Sequence, residues 1–232
     1  MSIKSKALTA TLTACTAVGV GTLTSLPANA ATAQCGPGCI SVFSSELGTY
    51  ADPNFIETVL DGGTAHIGQP VGLSPASGTD PSQDFLPGGA TEEGLSTVSD
   101  FHADGLVSAA VNRRYGHLDA VQQRYAPDGV DTGLCVGVAR VKQGEDLTLQ
   151  PCDDPTTVWI VYPAAGADPN YFAIVNAATP DFCRPFAMHL PRNEVVSGDP
   201  ELQMQLRHLQ YRIGDRTLPA RQVWGAAFGP QG

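Results

Sequence analysis

The sequence has little charge, and positive charge is especially scarce. Only 16% of its 232 residues are Asp, Glu, Lys or Arg, against about 25% in typical soluble domains. The 13 Lys and Arg residues are outnumbered by 23 Asp and Glu residues, so the formal net charge is −10. Proteins that bind nucleic acid normally present a basic face, so this composition disfavours that class. With 42% hydrophobic residues, the chain is expected to form a packed core rather than remain disordered.

Motifs that carry catalysis or bind cofactors are also missing. The sequence contains no Gly-x-Ser-x-Gly elbow, phosphate-binding loop or dinucleotide fingerprint. Its five histidines are scattered without the spacing of a metal site. Carboxylates such as Asp84 and Asp154 lie in turn-rich stretches, where aspartate commonly caps local amides. We therefore predict no catalytic residue, no metal and no cofactor.

Residues 1–30 have the pattern of a secretory signal peptide. Lys4 and Lys6 precede the uncharged run Ala7–Leu26, and Ala28-Asn29-Ala30 ends the segment with small residues. Cleavage after Ala30 predicts a secreted, extracellular protein with no membrane segment.

Two alternatives to a cleaved signal stay open. The apolar run is long enough to anchor the chain in a membrane, and Leu12-Thr13-Ala14-Cys15 resembles the modification site of a lipoprotein. General secretion is the simpler hypothesis because no twin-arginine pair is present.

Five cysteines remain in the predicted mature chain, residues 31–232. They are Cys35, Cys39, Cys135, Cys152 and Cys183. Export exposes them to an oxidising environment, so they are candidates for disulfides. Cys35 and Cys39 flank Gly-Pro-Gly and could close a small ring. The alternative pairs Cys183 with one of the two, so the partner of Cys183 stays open.

Three short motifs recur in the same order along the chain. Each is a turn followed by apolar residues two positions apart, then a polar loop and an aromatic residue, Phe85, Trp159 or Trp224. Upstream of each lies a short piece that begins with Cys39, Cys135 or Cys183. Short alternating segments separated by turns predict an all-β protein. The segment Leu106–Gln123 does not fit this pattern and is interpreted as an extra strand or a short helix, within a stretch, 91–123, that the motifs leave unassigned.

The stretch from Gly133 through Cys135 and Cys152 to Trp159 resembles the ricin-type lectin repeat. The resemblance implies a single β-trefoil domain over residues 31–232, with imperfect units at about 35–90, 105–162 and 170–228 and with inserted loops. The overall arrangement also resembles uncharacterised secreted proteins of actinobacteria.

The resemblance further implies roles for particular residues. Cys135 and Cys152 are expected to form a disulfide, and Phe85, Trp159 and Trp224 to close the three units in the core. In that family an aspartate two positions after the first cysteine binds sugar. The matching residues here are Ser41, Gly137 and Pro185, none of which offers a carboxylate to a sugar diol.

Three functions follow as hypotheses. The first is a secreted, non-catalytic binding module with degenerate carbohydrate sites, which rests on analogy of fold. The second is a trefoil that recognises a protein, for example as an enzyme inhibitor. The third, a hydrolase without a recognisable motif, has no specific carboxylate pair to support it.

Overall fold

The computed structural model describes residues 38–49, 54–91, 94–164, 170–191, 202–210 and 217–228. The predicted signal peptide and Cys35 lie outside these ranges. The expectation of an all-β protein is confirmed, since the described residues form fifteen short strands and two helices. The strands are β1 (Ile40–Ser44), β2 (Phe55–Val59), β3 (Val71–Pro75), β4 (Phe85–Gly88), β5 (Ala90–Thr91), β6 (Gly94–Leu95), β7 (Ala120–Tyr125), β8 (Leu134–Val138), β9 (Glu145–Pro151), β10 (Trp159–Pro163), β11 (Phe172–Asn176), β12 (Phe186–His189), β13 (Leu202–Gln203), β14 (Gln205–His208) and β15 (Trp224–Phe228).

Six strands are arranged in a ring. Antiparallel pairing runs from β4 to β7, then to β10, β11, β15 and β1. Strand β1 in turn lies in contact with β4, which completes the circle. A closed ring leaves no long unpaired edge among these strands.

Three antiparallel hairpins lie beside the ring. They are formed by β2 with β3, β8 with β9, and β12 with β14. The hairpins also contact one another: β3 meets β9 through a bridge between Pro70 and Thr148, β9 pairs with β14, and β13 pairs with β3. The hairpins therefore form a second circle.

One apolar core fills the ring and the hairpin circle. Alternate residues of its strands face this core, as the two-residue period of a strand requires. In β9, for example, Leu147 and Leu149 are fully buried, while the intervening Thr148 is only partly buried. The core also includes Val42, Val136 and Met188 from three other strands.

The helices resolve the ambiguous segment between β6 and β7. Helix α1 spans Val98–Ala103 and begins at Thr97, whose side chain and backbone form a capping box with Asp100. Helix α2 spans Ala109–Tyr115 and ends at Gly116. The segment interpreted as a strand or a short helix is thus a helix followed by strand β7.

A second apolar cluster holds both helices against the outside of the ring. Val98, Phe101 and Val111 belong to the same buried cluster as Ile160 of β10 and Val175 of β11. Val111 and Tyr115, four positions apart, supply the buried face of α2, and Val107 joins the same cluster from the loop before it.

The cysteine-led pieces do not occupy matching places in the fold, contrary to the sequence interpretation. Cys39 directly precedes β1, a strand of the ring, whereas Cys135 lies within β8, a strand of a hairpin. Cys183 precedes β12, the hairpin strand that corresponds to β8. The reason is that β1, like β7 and β11, pairs in the ring, and the first hairpin begins only at β2.

Candidate functional site

Each of the three aromatics that were predicted to close a unit is the first residue of a ring strand. Phe85, Trp159 and Trp224 begin β4, β10 and β15, and none is more than 1% exposed. Each follows a 3₁₀ turn, at Pro81–Gln83, Pro155–Thr157 and Ala220–Gln222 respectively. These rings are therefore part of the core, where they cannot stack on a ligand.

The indoles of Trp159 and Trp224 each form a hydrogen bond between a ring strand and a hairpin. The Trp159 Nε1–H donates to the carbonyl oxygen of Val136 at 2.8 Å, and the Trp224 Nε1–H donates to that of Met188 at 3.3 Å. Val136 and Met188 lie in β8 and β12, the first strands of two hairpins. The N–H group of each buried indole thereby has a hydrogen-bond acceptor, while the ring fills the core.

Phe85 is smaller than tryptophan, and its neighbour across the sheet makes up the difference. On the strand that follows in the ring, Phe85 lies opposite Tyr125, whereas Trp159 lies opposite Asn176 and Trp224 opposite Ser44. On their other side the two tryptophans lie opposite Val121 and Phe172. The Phe85 and Tyr125 ring centroids lie 5.6 Å apart. A smaller closing ring is thus matched by a larger opposing ring.

Replacing Phe85 with tryptophan should therefore overfill this corner. We expect Phe85→Trp to lower the free energy of unfolding by about 1–3 kcal/mol, the usual range for overpacking. Adding Tyr125→Ser, which copies the Ser44–Trp224 pair, should recover part of the loss. Urea unfolding of the two single variants and the double variant measures the coupling, and strictly additive losses would contradict the compensation.

Two buried glutamines form hydrogen bonds with the backbone at the ends of hairpin strands. The Gln83 Nε2 donates to the carbonyl oxygen of Pro75 at 2.8 Å, and its Oε1 accepts from the Ser77 N–H at 2.8 Å. Gln222 makes the same pair of bonds to the His208 carbonyl and the Gln210 N–H. Each glutamine side chain thus satisfies two backbone groups where a strand ends.

Before β10, Thr157 stands at the place that Gln83 and Gln222 have before β4 and β15, and a glutamine from another strand lies beside it. Thr157 is fully buried, and its Oγ1–H donates to the Asp154 carbonyl at 2.7 Å. Gln122, on β7, donates from Nε2 to the Cys152 carbonyl at 2.6 Å and to the Thr157 Oγ1 at 2.7 Å. Sequence reasoning missed Gln122 because it lies 35 positions from Thr157.

Removing the Gln122 side chain should take a donor from the part-buried Cys152 carbonyl and from the buried Thr157 Oγ1. We expect Gln122→Ala to cost about 1–3 kcal/mol of unfolding free energy, the range for unsatisfied buried polar groups. Gln122→Ala with Thr157→Gln, which copies Gln83 and Gln222, should recover stability. Chemical denaturation measures both, with Gln205→Ala, which removes a bond to the exposed Asp146 side chain, as the matched control.

The predicted Cys135–Cys152 disulfide is confirmed. It joins β8 to the residue that follows β9, with the two Cα atoms 5.0 Å apart. Cys39 and Cys183 are disulfide-bonded as well. No free cysteine occurs in the part of the chain that the structure describes.

Strand register changes which residues lie two positions after the start of each hairpin, the place that the sequence analysis compared with the sugar-binding aspartate of ricin-type lectins. The residues that pair with the leading ring strand are Ile56, Cys135 and Ala187. Two positions further on lie Thr58, Gly137 and His189, so Gly137 keeps its place, whereas Ser41 and Pro185 do not correspond to it.

None of the three corrected positions supplies a carboxylate. Thr58 is buried, with its Oγ1 2.8 Å from the Ser82 Oγ. A Cβ added at Gly137 would lie 2.9 Å from the Thr157 methyl group, so an aspartate has no room there. His189 is half-buried and carries an imidazole.

Two loops bring acidic side chains together at one place on the surface. The Asp84 Oδ2 accepts from the Asp128 N–H at 3.0 Å, so the loop before β4 contacts the loop after β7. Burial raises the pKa of Asp84, and the Asp128 and Asp80 carboxylates raise it further, although the Asp128 N–H lowers it. Val130, in the same loop as Asp128, is 67% exposed. We call Asp80, Asp84, Asp128 and Val130 the acidic loop pair.

Two polar side chains occupy core positions without partners. The Glu57 carboxylate oxygens and the Gln123 amide atoms are buried and make no hydrogen bond. By strand register, Glu57 corresponds to Val136 and Met188, which are core residues of the other two hairpins. Burial raises the pKa of Glu57 to about 8.

The described ranges hold an uncharged cleft but neither a metal cluster nor a membrane-spanning helix. Within them, no three His, Cys, Asp or Glu side chains are grouped to hold a metal. No described helix has the length and apolar character needed to cross a bilayer. A cleft of about 340 Å³ lies between the α1–α2 loop and the residues after β11, and uncharged residues line it.

Solved structures similar to this chain include two that align with most of its length. No protein-family model matches the sequence, and no curated protein matches it. A Caenorhabditis elegans protein of unknown function, solved by structural genomics, shares 10% identity over 83% of this chain and 94% of that chain, with a TM-score of 0.42. The SDF2-like protein from Arabidopsis thaliana shares 11% identity over 85% of this chain and 97% of that chain, with a TM-score of 0.41.

Proposed function

We propose that the protein is a secreted, non-catalytic binding module with a β-trefoil fold, and that it recognises a protein through its loops. A β-trefoil is a six-stranded barrel capped by three hairpins. The ring of six strands and the circle of three hairpins support this fold. The three units are β1–β4, β7–β10 and β11–β15, each closed by one of the buried aromatics.

The choice of a protein rather than a sugar as the ligand rests on the residues at three positions, those that correspond to the sugar-binding aspartates of ricin-type lectins. Thr58, Gly137 and His189 lack the carboxylate that accepts two hydrogen bonds from a sugar diol. At Gly137 the neighbouring Thr157 and Gln150 side chains fill the space. The ricin-type mode of sugar binding therefore has no basis at these positions.

The acidic loop pair is the surface that we propose for recognition. An exposed Val130 beside Asp84 and Asp128 combines an apolar contact with negative charge. The net charge of −10 favours association with a basic partner, because it attracts that partner over a long range at low salt. The proposed partner is therefore a protein with a basic surface.

A binding experiment with two matched variants tests this proposal. The immobilised chain, residues 31–232, is incubated with the proteins secreted by its source and, separately, with a glycan array. Asp128→Asn with Val130→Ser should abolish capture of a protein, and asparagine tolerates the positive φ of 54° at this position. Ile67→Ser, at the other strongly exposed hydrophobic residue among those described, should leave capture intact. Strong glycan binding that neither variant changes would favour the carbohydrate hypothesis instead.

Secretion is the second part of the proposal, and it rests on the pattern of residues 1–30. Mass spectrometry of the protein recovered from the medium should give Ala31 as the first residue. A lipid-modified Cys15 or a retained Met1 would contradict it.

A further inference from the structure

Glu57 is a charged residue type at a core position where the other two hairpins have apolar residues, Val136 and Met188. It faces Leu73 across its hairpin, as Val136 faces Leu149 and Met188 faces Leu206 in the other two. The side chain is 1% exposed, and neither carboxylate oxygen has a hydrogen-bond partner. A charged carboxylate at such a place would lack both water and a counter-ion.

Among the described residues, the elements around Glu57 supply no charge that could compensate for ionisation. Strands β1, β3 and β4, which pack in this unit, carry no ionisable side chain. Asp80 flanks the adjacent 3₁₀ turn, and its Oδ1 accepts from the Ser82 N–H and Oγ–H. On β7, Arg124 is bonded to Asp131, and Tyr125 packs on Phe85. Gln123 faces the same core but is uncharged.

We propose that Glu57 is a proton-dependent switch in the stability of the fold: the core holds it as the neutral acid, and loss of the proton loosens the β2–β3 hairpin from the core. The ionised form can regain water only if the hairpin moves outward, because the ring and the neighbouring hairpins enclose the site. The protein would thus be most compact in acid and would open as the medium becomes alkaline.

The raised pKa fixes the direction and the pH range of the effect. Since the pKa is about 8 in the folded chain against 4.5 ordinarily, the folded state binds the proton more tightly than the unfolded state. The stabilisation is fully present below pH 4.5, falls as the pH rises, and is lost above about pH 8. Over that range the unfolding equilibrium constant should increase on the order of a thousandfold from this group alone.

The test compares unfolding of the full mature chain at several pH values between 4 and 9. Glu57→Gln keeps the shape of the side chain and removes its proton, so the stability difference from wild type should change steeply with pH. Glu57→Met, which copies Met188, should remove the same pH dependence with an apolar side chain. Glu46→Gln, at an exposed carboxylate that pairs with Arg221, should retain the wild-type dependence on the alkaline side.

A second measurement needs no variant. In protein labelled with ¹³C at glutamate carboxyls, one resonance of the folded chain should titrate near pH 8. If every glutamate carboxyl titrates in the ordinary acidic range, or if wild type and Glu57→Gln lose stability in parallel as the pH rises, the proposed switch is overturned.

Discussion

Trp159→Ala should lower the free energy of unfolding by about 3–5 kcal/mol, the usual cost of deleting a large buried ring. The indole is fully buried, and its loss leaves a cavity where the ring of strands meets the second hairpin. The Val136 carbonyl also loses its donor. Since a whole domain is typically stable by only about 5–15 kcal/mol, we expect a sharply lower melting temperature and a reduced secreted yield.

A graded series separates burial from any role in binding. Trp159→Phe, which copies the residue at position 85, retains most of the apolar area and should lose less stability than Trp159→Ala. Trp224→Ala should behave like Trp159→Ala, because its indole is equally buried and donates to the Met188 carbonyl. Thermal unfolding followed by circular dichroism measures the three variants. Unchanged melting temperatures together with lost ligand binding would show that the rings are exposed binding platforms.

The parts of the fold that the sequence could predict depend on local patterns. Turn residues followed by alternating apolar residues predicted β9, and the aromatics that follow the polar loops were predicted to lie in the core. In each case the signal lies within about ten residues, since the period of two and the turn chemistry are local properties.

The first unit was harder to interpret for a physical reason. Strand β2 has Glu57 at a position that faces the core, so the expected alternation of apolar and polar residues fails there. Strand β1 begins with the alternating residues Ile40-Ser41-Val42, but so short a pattern fits a strand of either kind. Whether a strand belongs to the ring or to a hairpin depends on pairing with β15, about 185 positions away, and no local pattern carries that information.

Local sequence patterns also could not predict which side chains lie beside Thr157 and Phe85. Thr157 and Phe85 stand where the corresponding turns and strands have glutamine and tryptophan. The structure places Gln122 beside Thr157 and Tyr125 beside Phe85. Each partner comes from β7, so the departures can be understood only after the strands are paired.

The corresponding hairpins also show how the Cys135–Cys152 disulfide can be removed with little change in packing. At the open end of each hairpin, opposite its turn, one N–H donates to a carbonyl just before the first strand. The three donor–acceptor pairs are Ala76 to Asn54, Cys152 to Gly133 and Leu209 to Pro185. The residues equivalent to Cys135 are Ile56 and Ala187, so the third hairpin pairs Ala187 with Leu209 at the place of the disulfide. Cys135→Ala with Cys152→Leu therefore replaces the bridge with a combination that this fold already accommodates.

We expect this double variant to lose about 3 kcal/mol of unfolding free energy, because a cross-link across 17 positions restricts the unfolded chain to that extent. The repacked hairpin should not recover the loss, since the effect lies in the unfolded state. Urea unfolding under non-reducing conditions, with the disulfides of Cys39 and Cys183 left intact, measures it. A matched variant, Cys135→Ala with Cys152→Ala, copies Ala76 and should lose somewhat more through reduced burial. If the double variants are as stable as wild type, the bridge does not stabilise the fold, and the hairpin contacts alone hold this corner together.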